Sequence, residues 1–223
     1  MPEAIGFDVY GTLVDPLEMN EHLRPIVGEE LADRFSGLWR QKQLEYTFLR
    51  GLMRRYKNFG VCTRQALVYT TNVLGVQLSG EEEERLIEEY QNLRPFPDVV
   101  PGIEALRARR HTLVAFSNGV ETTTRALLDR ACVLPHLEDV ISVDDLKTFK
   151  PDPQVYLYLA GRLRREPEET WLVSSNPFDV LGAKSAGLRA VWISRNPDAR
   201  FDPWEIEPDL VVPDLGALAE RLG

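Results

Sequence analysis

Apolar residues arrive in two different rhythms along this chain. Ala4-Ile-Gly-Phe-Asp-Val-Tyr10 is short, mostly apolar and ends at Gly11-Thr12, the pattern of a buried strand opening into a loop. From about Pro16 to Arg94 the rhythm turns helical. Leu31, Phe35, Leu38, Leu49, Leu52, Met53 and Tyr56 recur among charges, and Thr63 to Leu74 repeats the pattern before stopping at Gly75. Ser79 followed by Glu82 is the capping-box signature of a third helix. No strand pattern interrupts this stretch, which reads as an all-helical insertion.

Pro95-Phe-Pro-Asp-Val-Val-Pro101 marks a boundary. Beyond it, strand candidates Thr112–Phe116, Val140–Val143, Trp171–Val173, Ala190–Ile193 and Leu210–Val212 alternate with helices. Those helices are expected at Ile103–Arg110, Thr122–Ala131, Pro153–Arg165 and Val180–Ala186, with Gly187 suited to a helix C-terminal turn. Strand, helix, strand repeated in this way implies right-handed crossovers and a parallel sheet. The expected fold is α/β: a Rossmann-like parallel sheet flanked by helices, built from 1–15 plus 95–223, with 16–94 inserted as a helical cap domain.

In such sheets ligands sit beyond the carboxyl ends of the strands. The segments there are Asp8-Val-Tyr-Gly-Thr12, Ser117-Asn118-Gly119, Lys150-Pro-Asp152 and Ser174-Ser-Asn-Pro-Phe-Asp179. All are polar and unusual for plain turns. Their convergence on one edge is the strongest physical pointer to a site.

Composition narrows the class of partner. The chain of 223 residues is 43% hydrophobic, enough for a proper core, and carries a net charge of −9. That balance argues against nucleic acid, which needs clustered Lys and Arg. No apolar run approaches the ~20 residues of a membrane span, and the start lacks a basic patch followed by an apolar stretch, so it does not read as a signal peptide. Cys62 and Cys132 sit in no CxxC pattern, as free thiols of a reducing cytosol do. The expected location is therefore cytoplasmic, with no nucleic acid and no membrane as partner.

Several chemistries find no support. His22, His111 and His136 lack metal-ligand spacing, and the chain has no GxSxG elbow, Walker loop or GxGxxG. The run Glu81–Glu84 reads as a solvated first helical turn that favours the helix dipole. Asp8 is the candidate nucleophile. An aspartate is weak in water and needs a desolvated, oriented setting, which a strand end followed by Gly11 supplies. A turn-capping role is the plainer reading of the same residue.

Taken in order, Phe7-Asp-Val-Tyr-Gly-Thr-Leu13, Ser117-Asn-Gly119, Lys150-Pro-Asp152 and Ser174–Asp179 resemble the four motifs of the haloacid dehalogenase superfamily. Within it, Leu38-Trp-Arg-Gln-Lys-Gln-Leu-Glu-Tyr46 and Ser-Ser-Asn-x-Phe-Asp resemble the L-2-haloacid dehalogenases, and the resemblance spans nearly the whole chain. It implies a hydrolase that converts small anionic L-2-haloacids to D-2-hydroxy acids through an ester of Asp8, with no cofactor and no metal. A homodimer is typical of the resembled family. Two other readings stay open: a Mg-dependent phosphatase of the same superfamily, and a non-catalytic member that binds small anions.

The resemblance also distributes roles. Tyr10 stands where the superfamily's phosphatases carry a second Asp as general acid; a leaving halide needs no proton, and Tyr10 equally reads as a core aromatic. The sparse acids of Ser174–Asp179 speak against a Mg²⁺ site, since that ion wants several carboxylate oxygens. Lys150 is expected to pair with Asp179 and Asp8. Arg40, with Asn118 and Phe178, would receive the halide, a diffuse anion that guanidinium donors suit. The matching Trp-Arg-Gln-Lys-Gln context singles Arg40 out from ordinary solvated arginines. Thr12 and Ser174 would orient Asp8, although turn duty explains Thr12 as well. Asn176 and Asp179 would position or deprotonate the hydrolytic water, and Asp179 also suits a helix N-cap. Ser117 and the N–H groups near Val9 and Tyr10 would hold the substrate carboxylate. Gln41, Leu44 and Phe59 match an apolar wall over the substrate's alkyl group, with core packing as good a reading for Leu44 and Phe59. Tyr156 matches a tyrosine of the family without a derivable role.

A haloacid is an anion, and the acidic protein would repel it. Screening over ~8 Å in physiological salt weakens that repulsion. The site must therefore be a local nest of Arg, Lys and N–H donors.

Overall fold

The computed structural model describes residues 2–222. In chain order the elements are β1 (Ala4–Phe7), α1 (Met19–Val27), α2 (Glu29–Leu52), α3 (Phe59–Leu74), α4 (Gly80–Glu89), α5 (Val99–Ala108), β2 (Thr112–Ser117), α6 (Glu121–Arg130) and β3 (Asp139–Ser142). Then come α7 (Pro153–Leu163), β4 (Thr170–Ser174), α8 (Pro177–Ser185), β5 (Arg189–Ile193), β6 (Leu210–Val212) and α9 (Leu215–Arg221).

The strands form one six-stranded sheet in the order β3-β2-β1-β4-β5-β6. Every strand pairing within this sheet is parallel, with Phe7 level with Ala115 on one side and Val173 on the other. β1 and β4, the two central strands, are buried along their whole length. A strand covered on both faces by helices reads as a continuous apolar run rather than an alternating one. The order reverses at β1, so Asp8 leaves the sheet at its topological switch point, where open α/β sheets bind ligands.

The insertion contains four helices, α1 to α4, and no strand among the described residues. The sequence pattern anticipates three of them. It misses α1, which carries Pro25 in its interior and is parted from α2 by Gly28 at φ +83°. Met53 and Tyr56, expected in the helical run, fall beyond the end of α2. The capping box is present as expected: Ser79 and Glu82 bond each other's backbone N–H groups. The chain leaves and re-enters the sheet domain along one short track, where Asp15 N–H donates to the Arg94 carbonyl (3.1 Å) and Phe96 N–H to that of Leu13 (3.1 Å). α9 also goes unanticipated. It packs Leu215, Leu218 and Ala219 inward, next to α5.

Candidate active site

Asp8 ends the first loop position after β1 and is only 7% exposed. Its carboxylate receives three donors. Thr12 Oγ donates to Oδ2 at 2.9 Å and Asn176 Nδ2 donates to the same oxygen at 2.8 Å. Lys150 Nζ donates to Oδ1 at 3.0 Å. The loop can fold this tightly because Gly11 adopts φ +89°, a conformation that costs glycine nothing. A Cβ there would also press to 3.2 Å from Ser175 Oγ. Ser175 ties the loop to the end of β4: its N–H donates to Thr12 Oγ (2.9 Å) and its hydroxyl to the Gly11 carbonyl (2.6 Å).

Lys150 is 1% exposed, and Asp179 is fully buried. The ammonium spends its three protons on Asp8, on Asp179 Oδ2 at 2.9 Å and on the Phe116 carbonyl at 2.9 Å. Burial alone would lower the lysine, but the carboxylates of Asp179 and Asp8 outweigh it and hold it above its ordinary value. Burial pushes the Asp179 carboxyl up, although the lysine opposes this. Tyr156 Oη donates to Asp179 Oδ1 at 2.7 Å, which gives that tyrosine the role the sequence left blank. Burial raises its phenol well above the ordinary range, with the Asp179 charge adding to the shift. α8 can approach so closely because residue 182 is glycine. A Cβ there would meet Tyr156 Oη at 2.5 Å and Pro151 Cβ at 2.8 Å.

Asn118, buried after β2, accepts from the Lys150 backbone N–H at 3.0 Å. Ser117 Oγ accepts from the Gly119 N–H at 2.9 Å. Neither the N–H of Val9 nor that of Tyr10 bonds to a backbone carbonyl among the described residues. The insertion reaches the site through Arg40 on α2. Its guanidinium donates to the Tyr10 carbonyl (3.3 Å) and to Gln43 Oε1 (2.7 Å). The Tyr10 ring lies between those of Phe59 (5.3 Å) and Tyr90 (5.8 Å). Burial drives its phenol far above the ordinary range, so it is a poor acid. Phe178 is half-buried at the start of α8, with its ring edge-on to Phe48 at 5.0 Å.

Three sequence expectations need amendment. Ser174 does not touch Asp8; its hydroxyl accepts from the Asn176 N–H (3.1 Å) and so acts on Asp8 one residue removed. Asp179, expected to position or deprotonate the hydrolytic water, has both oxygens engaged by Lys150 and Tyr156. It is not the N-cap of α8, because Asn176 holds that position. Gln41 is exposed, whereas Gln43 is buried and bonded to Arg40. Leu44 is half-buried on α2. Gln43, Thr63 and Ser175 lie in segments that the sequence pattern marks, but neither they nor Tyr90 carry a role in it.

Among the described residues no three His, Cys, Asp or Glu side chains cluster as a metal-binding group. The space between Asp8 and Asp179 is filled by the Lys150 ammonium. The arrangement therefore offers a desolvated carboxylate with its charge balanced by one buried cation. A second cation, Arg40, reaches from α2 to the carbonyl of Tyr10, two residues after Asp8, and that position carries a phenol rather than a carboxylic acid.

The family model of haloacid dehalogenase-like hydrolases matches residues 2–187. Haloacetate dehalogenase H-2 of Moraxella sp. (strain B) is 40% identical over 99% of this chain and 97% of its own. An (S)-2-haloacid dehalogenase of Pseudomonas putida is 36% identical over 99% and 96%. Among solved structures, the L-2-haloacid dehalogenase of Xanthobacter autotrophicus with chloropropionic acid covalently bound is 32% identical. It superposes with a TM-score of 0.92 over 100% of this chain and 98% of its own. With the parallel sheet, the motif residues gathered at its switch point and these full-length similarities, the chain belongs to the haloacid dehalogenase-like hydrolases and, within them, to the (S)-2-haloacid dehalogenase family.

Proposed function

We propose that the protein hydrolyses small L-2-haloacids to D-2-hydroxy acids and halide, with Asp8 as the nucleophile. The observation that carries this reading is Tyr10. Where a phosphate ester would need an acid to protonate its leaving alcohol, this site has a buried phenol whose pKa is raised. Such a site suits a leaving group that departs as a stable anion. The covalently bound chloropropionic acid in the Xanthobacter relative supports the ester route.

In the proposed first step Asp8 attacks the halogen-bearing carbon from the face opposite the halide. Oδ1 has a single donor, Lys150, and keeps a lone pair for attack. Oδ2, held by Thr12 and Asn176, becomes the carbonyl oxygen of the ester. Arg40, Asn118 and Phe178 receive the halide. The substrate carboxylate is held by Ser117 and the N–H groups of Val9 and Tyr10, and the alkyl group lies against Tyr10, Leu44 and Phe59. In the second step water adds to the ester carbonyl carbon. Charge then develops on the oxygen that Thr12 and Asn176 already face, so the same two donors act as an oxyanion hole. The bond from that carbon to Oδ1 breaks, and Oδ1 leaves as the product's hydroxyl oxygen, taking one proton of the water while the other is released to solvent. Asp179 acts through Lys150, with Tyr156 behind it. The carbon is inverted once, and the hydrolysis leaves it untouched.

In this reading 16–94 is a cap domain closing over the core of 1–15 plus 95–223. The small-molecule partner is the anionic 2-haloacid substrate, and neither nucleic acid nor a membrane takes part. No helix among the described residues is long and apolar enough to cross a membrane. A homodimer is supported by the end of α2, where Leu52 is 83% exposed and Met53 59%. Free Cys62 and Cys132 support a reducing, cytoplasmic setting. The test is halide release from L- and D-2-chloropropionate in the presence of EDTA. Chloride from the L form alone is expected; chloride from neither form, or from both equally, contradicts the reading.

A further inference from the structure

Gln43 is fully buried on α2, one helical turn past Arg40. A primary amide removed from water is costly unless both ends are bonded. Here both are. Oε1 accepts from Arg40 (2.7 Å) and from Tyr90 Oη (2.9 Å), while Nε2 donates to Thr63 Oγ (2.7 Å). Thr63 Oγ spends its single proton on the Phe59 carbonyl at 2.9 Å, so it can only accept from Gln43. That fixes which way the amide faces: the oxygen must point at Arg40. Three elements of the insertion thus meet at one amide, since Gln43 lies on α2, Thr63 on α3 and Tyr90 at the end of α4, and that amide carries the geometry to Arg40.

The acceptors are also uncharged. Arg94, Arg125 and Arg195 each face a carboxylate. The partners of Arg40 are an amide oxygen and a backbone carbonyl. Its direction is set without its charge being cancelled, which is what a receptor for a departing anion requires.

We propose that Gln43 and Tyr90 are positioning residues that aim Arg40 at the leaving halide. The proposal rests on the reading of Arg40 as the halide receptor, and its test carries a readout separate from turnover. Bromide binding is titrated calorimetrically into wild type, Gln43→Met, Gln43→Glu and Tyr90→Phe, and kcat and KM for L-2-chloropropionate are measured alongside. Gln43→Met is expected to lose roughly tenfold or more in kcat with KM little changed, because halide stabilisation grows in the transition state. Gln43→Glu, nearly the same shape, is expected to bind bromide at least about tenfold more weakly, because its charge opposes the anion. A merely structural role would lower stability, read by thermal unfolding, without moving the bromide affinity of the folded variant. Tyr90→Phe, which keeps the ring and its packing, is expected to show a smaller loss of the same kind and guards against a Gln43 variant that fails to fold. If these variants keep both bromide affinity and kcat within twofold of wild type, the proposal is overturned, as it is if wild type binds no bromide. A wild type that binds bromide but turns over no haloacid would sink the functional reading, and the variants' bromide affinities would still decide the role of Gln43 and Tyr90.

Discussion

Lys150 Nζ lies 3.0 Å from Asp8 Oδ1, and neither side chain is exposed enough for water to screen the pair. The two residues are 142 positions apart in sequence. The lysine answers a second carboxylate, Asp179, on its other side. Replacing it leaves two buried carboxylates facing one another with no cation between them. Lys150→Met is therefore expected to cost about 3–5 kcal/mol of stability, the usual penalty for stranding a buried charge. It should also lower kcat by at least about a hundredfold. Denaturant unfolding and halide release measure the two effects separately.

Tyr156 secures the far side of Asp179. Tyr156→Phe keeps the ring against Phe116 and deletes only the hydrogen bond to the carboxylate. A bond to a charged group is worth about 1.5–3 kcal/mol, so a stability loss in that range is expected, with a fall in kcat. Gly182→Ala should reproduce the effect from the opposite side, since its new methyl would lie 2.5 Å from Tyr156 Oη. Overpacking of this kind costs about 1–3 kcal/mol. Thermal unfolding of both variants checks the prediction; a neutral Gly182→Ala would contradict it.

The pH dependence follows from the same trio. Lys150 is held above its ordinary value, so its contribution to stability is complete below about 10.4, the unfolded lysine's value, and is lost only as pH rises beyond that. Asp179 is raised, so the folded protein takes up its proton at a higher pH than the unfolded chain does. Its contribution to stability is present below about 3.9 and falls as pH rises through the raised value. For kcat this predicts an acid limb above the ordinary carboxylate range, where protonated Asp179 releases Lys150. It also predicts a plateau through the mildly alkaline range. A kcat profile that collapses between about pH 7 and 9 would contradict the assignment.

The sheet and its site edge were legible in the sequence because each βα unit announces itself by a short apolar run followed by a polar loop. Asp8, Asn118, Lys150 and Asn176 all stand in such loops, and the fold brings all four together. The insertion was less legible. Pro25 and Gly28 divide what reads as one helical stretch, so α1 is hidden in the pattern. Gln41 and Gln43 cannot be told apart by composition, but a helix advances about 100° per residue. That turns Gln41 away from the Arg40 face, while the residue at i+3 comes back to it. Tyr90, 47 residues from Gln43, carries no spacing signal at all. Its role exists only once three helices meet.

The most direct test of Asp8 as nucleophile is a single turnover of L-2-chloropropionate, enzyme in excess, in heavy-oxygen water, followed by mass spectrometry of the peptide containing Asp8 and of the product. Attack of water on the ester carbon predicts the label in Asp8 and an unlabelled hydroxy acid. Labelled product with an unlabelled Asp8 would mean that water, and not Asp8, displaced the halide.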